Sequence, residues 1–158
     1  MNRKNRNINR RTFIKAGTLT GLYIATTAYG QMMTSCNSDK PVRIGFVGVG
    51  GRGMRMLKTA LSIEGVQVVA VSDIVEEKVA RAQQIVTKAG QAKPVGYTGA
   101  DDYLRMADLP NLDAIYTATP FELHTPVMLA TMRGGKYGAT EMPACTEHDE
   151  AWELVETS

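Results

Sequence analysis

Three glycines at fixed spacing and one carboxylate carry the clearest chemical assignment in this chain. Gly48-Val49-Gly50-Gly51-Arg52-Gly53 fits the pattern G-x-G-x-x-G. In that pattern the first glycine permits a tight turn, the second lets the backbone approach a diphosphate, and the third allows close helix–strand packing. A helix opening at this point offers unpaired N–H groups to the phosphates. Asp73 lies 20 residues past Gly53, the distance at which an acid binds the adenosine ribose hydroxyls of a dinucleotide. An acid there repels a 2′-phosphate, so the pattern favours NAD over NADP; the alternative is that Asp73 simply closes a strand or caps a helix.

The remaining reactive side chains are few. His124 is the side chain near this pattern best suited to act as an acid or base around neutral pH. Alternatively, it caps a helix or hydrogen-bonds backbone. His148 reads as a solvated residue. Cys145 reads as an ordinary thiol, because no partner base can be identified for it. The two histidines are too far apart in sequence to suggest a metal site.

These residues need a scaffold, and the hydrophobic pattern supplies one. Val42–Val47 is a short β-branched apolar run suited to a buried parallel strand. A helix is expected over Met54–Ile63, a second strand over Val66–Ser72, and a helix over Glu76–Ala89 with acids in its first turn. Pro94–Tyr97, Leu112–Ala118 and Lys136–Thr140 read as further strands. Asp102–Ala107 and His124–Arg133 read as the helices between them. Thr146 is placed to cap a last helix, with Asp149 three residues on. This alternation predicts an α/β fold, a Rossmann-type parallel sheet with helices on both faces. The expected organisation is a dinucleotide domain over residues 42–158, preceded by a linker over 37–41, with no C-terminal substrate domain in this chain. An exposed edge of such a sheet favours association into a homo-oligomer.

Composition excludes other classes. At 44% hydrophobic and 22% charged residues, the chain matches a folded globular protein. The net charge of +2 comes from one end: Arg3, Lys4, Arg6, Arg10, Arg11 and Lys15 have no acid among them, and from Cys36 onward 12 basic residues face 16 acidic ones. That balance argues against nucleic acid as a partner. The cationic start, the diluted apolar stretch Ala16–Gly30 and the small residues before Cys36 read as an export signal over residues 1–36. Asn9-Arg10-Arg11-Thr12-Phe13-Ile14-Lys15 resembles the twin-arginine motif, which implies export of an already folded protein by the twin-arginine machinery. Met33-Thr34-Ser35-Cys36 resembles a lipoprotein box, which implies a lipid anchor at Cys36 and a periplasmic or membrane-tethered location.

Two further segments carry a family resemblance. Thr117-Ala118-Thr119-Pro120-Phe121-Glu122-Leu123-His124-Thr125-Pro126 and Gly135-Lys136-Tyr137-Gly138-Ala139-Thr140-Glu141-Met142-Pro143 resemble the Gfo/Idh/MocA oxidoreductases. Ordinary dehydrogenases of that family carry a proton-handling Lys at the position of Met142. Glu141-Met142-Pro143-Ala144 and Phe121–Pro126 are instead similar to the E-V-P-A and W-E-W-H-T-P segments of glycoside hydrolase family 109, an NAD-dependent branch that includes α-N-acetylgalactosaminidases. The resemblance implies that Gly51 and Arg52 touch the cofactor diphosphate and Asp73 the ribose. It places Thr119, Pro120, Phe121, Glu122, Leu123, His124, Glu141 and Met142 around the nicotinamide half. It further implies hydrolysis of a glycoside through transient oxidation at C3, elimination, water addition and re-reduction. Two alternatives stay open: an NAD-dependent sugar or polyol oxidoreductase, and a non-catalytic NAD-binding module.

Overall fold

The computed structural model describes residues 40–158. The export signal, the Cys36 anchor and most of the linker expected from sequence lie outside the described residues. Eleven elements follow in order. They are β1 (Val42–Val47), α1 (Gly51–Leu61), β2 (Val66–Ser72), α2 (Glu76–Lys88), β3 (Val95–Tyr97), α3 (Asp102–Ala107), β4 (Ala114–Thr117), a 3₁₀ turn (Phe121–Leu123), α4 (His124–Arg133), β5 (Tyr137–Thr140) and α5 (His148–Thr157).

All strand pairs are parallel, in the order β3-β2-β1-β4-β5. The chain therefore winds outward from β1 in one direction, then returns to place β4 on its other side. The reversal opens a crevice beyond the carboxyl ends of β1 and β4, where ligands bind in such sheets.

Alternation along the strands builds a core on each face. Phe46, Val68 and Val71 pack with Met54, Leu57, Val79, Ala82 and Val86 of α1 and α2. Val47, Ala70 and Ile115 pack with Met106 of α3, Leu112 and Val127 of α4. Residues one position apart on the same strand thus serve opposite layers, as a two-residue period requires. At the amino end of the central strands, Arg43 and Asp113 form a two-pronged ion pair, with Nη2–Oδ1 at 2.7 Å and Nε–Oδ2 at 3.0 Å. The Arg43 amide also donates to Asp113 Oδ2 at 2.8 Å. These bonds hold the Asp113 carboxyl down at about 2.

β3 is too short to cover the whole of β2. Gln91 fills the gap: its Oε1 accepts from the Val68 amide at 2.8 Å and its Nε2 donates to the Val66 carbonyl at 2.8 Å. One side chain thereby copies a strand partner.

Most strand and helix ends fall within one or two residues of the sequence expectation, and two differences have a clear physical reason. α1 begins at Gly51, three residues before Met54, because the last glycines of the loop adopt helical backbone and form its first turn. The cap of α5 is Glu147 rather than Thr146. Glu147 and Glu150 form a reciprocal capping box, while the Thr146 amide and hydroxyl both donate to Glu150 Oε2, at 2.8 and 3.2 Å. Those bonds lower the Glu150 carboxyl pKa, the backbone donors first.

Candidate functional site: a dinucleotide seat at the sheet crossover

β1 ends in the glycine loop at the crossover crevice. Gly48 has φ of 81°, a left-handed conformation, and a Cβ there would lie 2.8 Å from the Ala118 carbonyl at the end of β4. A Cβ on Gly53 would stand 1.8 Å from the Gly48 carbonyl oxygen. These two glycines are demanded by the protein's own backbone.

Gly50 and Gly51 are different. A Cβ on Gly51 would meet nothing within 4 Å, and one on Gly50 would meet only the Lys78 ammonium, at 3.9 Å. Nothing in the fold requires glycine there, and the bare backbone leaves space for a ligand to approach. The α1 N-terminus lies directly behind, and Gly50 makes no side-chain cap. Its first amides are therefore free to meet an anion. A groove of about 250 Å³ runs past Gly48, Gly50, Asp73, Gly99, Thr119 and Leu123. The residues therefore fit a dinucleotide with its diphosphate on the loop.

Asp73 sits at the end of β2 with its side chain only 8% exposed. Its Oδ2 accepts the Val49 amide at 3.0 Å and its Oδ1 the Val75 amide at 3.1 Å. Lys78 Nζ stands 3.6 Å from Oδ1. The acid thus braces the glycine loop while lining the groove.

The other end of the crevice is built by side chains far apart in sequence. Arg52 Nε donates to Glu141 Oε1 at 2.6 Å, and the Tyr116 hydroxyl donates to the same oxygen. The guanidinium, helped by the phenol, holds the Glu141 carboxyl below its ordinary range. Burial first, then the carboxylate beside it, pushes the Tyr116 phenol up to about 12. Arg52, expected on the diphosphate, ties the start of α1 to the segment after β5 through its Nε. Tyr116 escaped the sequence reading because it looks like one more apolar strand residue, and its partner lies 25 positions away.

For His124 the geometry favours a backbone-fastening role over that of an acid or base. His124 is 2% exposed, with Nδ1 2.7 Å from the Pro143 carbonyl oxygen and Nε2 3.0 Å from that of Thr119. Both ring nitrogens are engaged by backbone, the alternative that the sequence left open. Beside it, Thr125 Oγ1 donates to the Ala144 carbonyl at 3.2 Å. Together they fasten the segment after β4 to the segment after β5.

An open cavity of about 270 Å³ lies over this framework, lined by Arg52, Thr119, Pro120, Phe121, Glu141 and Met142 among others. Met142 is 92% exposed and Phe121 52%, so both present apolar surface to whatever occupies the crevice. Glu122 is exposed on the 3₁₀ turn, and Cys145 is a half-buried free thiol. No cluster of metal-binding side chains occurs among the described residues.

The comparisons agree with this geometry. The Gfo/Idh/MocA family model, described as an oxidoreductase family with an NAD-binding Rossmann fold, matches residues 42–158. A glycosyl hydrolase family 109 protein of Saccharopolyspora erythraea is 39% identical over 161 residues, covering 94% of this chain and 35% of that protein. An alpha-N-acetylgalactosaminidase of Bacteroides fragilis is 39% identical over 117 residues, covering 74% of this chain and 28% of that protein. The chain thus spans about a third of the length of the curated relatives it matches. Among solved structures, a myo-inositol dehydrogenase of Lactobacillus casei in complex with NAD(H) and myo-inositol shares the fold. Its TM-score is 0.66 at 24% identity, over 74% of this chain and 33% of that one. With loop, acid and crevice in place, the chain belongs to the Gfo/Idh/MocA oxidoreductase family, and residues 42–158 are its NAD-binding Rossmann domain.

Proposed function

We propose that this chain is the cofactor-binding part of an NAD-dependent glycosidase of the α-N-acetylgalactosaminidase type. The observation that carries the reading is Met142. It stands exposed at the mouth of the nicotinamide-side cavity, where ordinary dehydrogenases of the family carry a lysine to handle the hydroxyl proton. A thioether cannot do that work. The relatives named as glycosyl hydrolases, one of them an alpha-N-acetylgalactosaminidase, support the same reading.

When bound, the nicotinamide supplies reversible hydride transfer to and from the sugar. The chain's own residues bind and orient. Gly50, Gly51 and the first amides of α1 hold the diphosphate. Asp73 meets the ribose hydroxyls with its remaining lone pairs. Thr119, Pro120, Phe121 and Leu123 wall the groove toward the nicotinamide. Glu141, fixed by Arg52 and Tyr116, stays ionised at the same end, and Met142 and Phe121 shield the reacting face from water. Since His124 has both nitrogens on backbone, the base that takes the C2 proton is assigned to the part of the relatives that this chain does not span. Export in folded form by the twin-arginine machinery, with Cys36 as the lipid attachment point, suits a protein that must acquire NAD in the cytoplasm.

The test is release of nitrophenol from nitrophenyl α-N-acetylgalactosaminide. It is measured with and without added NAD, on this chain and on this chain joined to the remaining segment of the Bacteroides relative. Hydrolysis that requires bound NAD without accumulating NADH is expected. Steady NADH formation from a polyol, with no hydrolysis, would replace the glycosidase with an oxidoreductase. Bound NAD with neither activity in the joined protein would leave only a binding module.

A further inference from the structure

Tyr116 stands behind the nicotinamide-side cavity without lining it. The cavity walls include Arg52, Phe121, Glu141 and Met142. The Tyr116 ring instead packs in the layer that holds α1, tilted against Phe46 with ring centroids 5.5 Å apart. Strand alternation decides this. Ile115, one position earlier on β4, serves the opposite layer with Met106 and Val127, so of the two only residue 116 faces the side where α1 begins. Its hydroxyl leaves the core there and donates to Glu141 Oε1. Burial first, then the carboxylate, pushes the phenol up to about 12, so it remains a donor at neutral pH.

The bonds at Glu141 are one-sided. Arg52 Nε and the Tyr116 hydroxyl both donate to Oε1, and Oε2 has no hydrogen bond among the described residues. The Glu141 main chain is already held: its amide donates to the Thr117 carbonyl at 3.2 Å, and its carbonyl accepts from Thr140 Oγ1 at 3.1 Å. Only the direction of the carboxylate is left to be set. Arg52 is a long side chain, 54% exposed, and must give up rotamer freedom to hold still. The Tyr116 ring gave up that freedom when it packed on Phe46, so its hydroxyl is the steadier of the two donors. We propose that Tyr116 is a positioning residue. By holding Oε1 it presents Glu141 Oε2 to a hydrogen-bond donor of the nicotinamide half, a ribose hydroxyl or the carboxamide N–H. The inference rests on the reading that this half of a dinucleotide lies over the cavity.

Calorimetric titration of the whole chain with NAD, ADP-ribose and ADP tests the proposal. The parent is compared with Tyr116→Phe, Glu141→Ala and the double variant, with the thermal unfolding of each recorded. Tyr116→Phe is expected to lose about fivefold in NAD affinity while ADP moves less than about twofold. ADP-ribose lacks the nicotinamide ring, so a matching loss for it assigns the contact to the ribose hydroxyl, and no loss assigns it to the carboxamide. In the Glu141→Ala background, Tyr116→Phe is expected to change NAD affinity by less than about twofold, because the phenol then has nothing to position. NAD binding that is unchanged in Tyr116→Phe overturns the inference. So does equal weakening of NAD and ADP, the mark of a merely structural role, and so does a further loss of about fivefold on top of Glu141→Ala. A parent that binds neither NAD nor ADP removes the dinucleotide seat, and the inference with it.

Discussion

The two halves of the sheet meet at β1 and β4 and prepare for one ligand by different means. On the adenosine side, β1, α1 and β2 present backbone: bare amides, a left-handed glycine, and one acid held by two N–H groups. On the nicotinamide side, the segments after β4 and β5 are shaped by side chains. Arg52, Tyr116 and Glu141 form one knot, and His124 fastens two carbonyls from opposite segments. Backbone recognition suits a diphosphate, which every dinucleotide carries. Side-chain construction suits the end where, on the proposed function, the reaction is decided, because single substitutions there can change chemistry without disturbing the fold.

The largest expected effect breaks the backbone half. Gly53→Ala forces a Cβ to within 1.8 Å of the Gly48 carbonyl. It should cost at least about 4 kcal/mol, among the severest outcomes for a point substitution, and circular dichroism should show a chain that no longer folds cooperatively. Next comes the knot in the other half. His124→Ala removes the buried ring that lies between the Thr119 and Pro143 carbonyls and the N–H bond it makes there, a loss of about 3 kcal/mol measurable by urea unfolding. If that variant were as stable as the parent, the two segments would be held by something other than the imidazole.

Legibility follows the same division. The spacing of Gly48, Gly50 and Gly53, and the distance on to Asp73, could be read directly because the whole pattern falls within a short stretch of chain, although the fold itself demands glycine only at Gly48 and Gly53. The alternation of strands and helices was equally open, since burial on both sheet faces leaves nearly continuous apolar runs. What stayed hidden is pairing across distance. Arg52 and Glu141 are 89 positions apart, and nothing local in Tyr116 announces a carboxylate neighbour. The partners of His124 are main-chain oxygens, which no side-chain motif reports. The cap of α5 slipped by one residue because Thr146 and Glu147 can both serve, and only the fold shows Glu147 and Glu150 exchanging bonds.

Two smaller effects sharpen the contrast by locating where the halves are pinned together. Arg43 and Asp113 join β1 to the start of β4 at the end of the sheet away from the ligand. Asp113 is depressed to about 2 in the fold, against 3.8 unperturbed. Its stabilisation is therefore complete above the unfolded value and disappears as pH falls through the folded one. Allowing for its partial exposure, about 1 kcal/mol should vanish over that interval in the parent and not in Asp113→Asn, by acid-dependent unfolding. The smallest effect belongs to Tyr116→Phe. Glu141 keeps Arg52, so the loss should be about 0.5 kcal/mol near neutral pH. The phenol ionises near 10.0 when unperturbed and about 12 in the fold. Its contribution is thus present below the first value and lost as pH rises through the second, a change that unfolding measurements on the Phe variant should lack.

If a dinucleotide diphosphate rests on the glycine loop, Gly50 is where a side chain should exclude it. The fold leaves room for a side chain there, with only the Lys78 ammonium nearby at 3.9 Å, whereas a bound diphosphate does not. Calorimetric titration of NAD into the parent and into Gly50→Val, each with its thermal unfolding recorded, separates the two. The variant is expected to melt as the parent does and to lose NAD binding. A variant that folds and binds NAD as tightly as the parent would contradict a diphosphate on that loop.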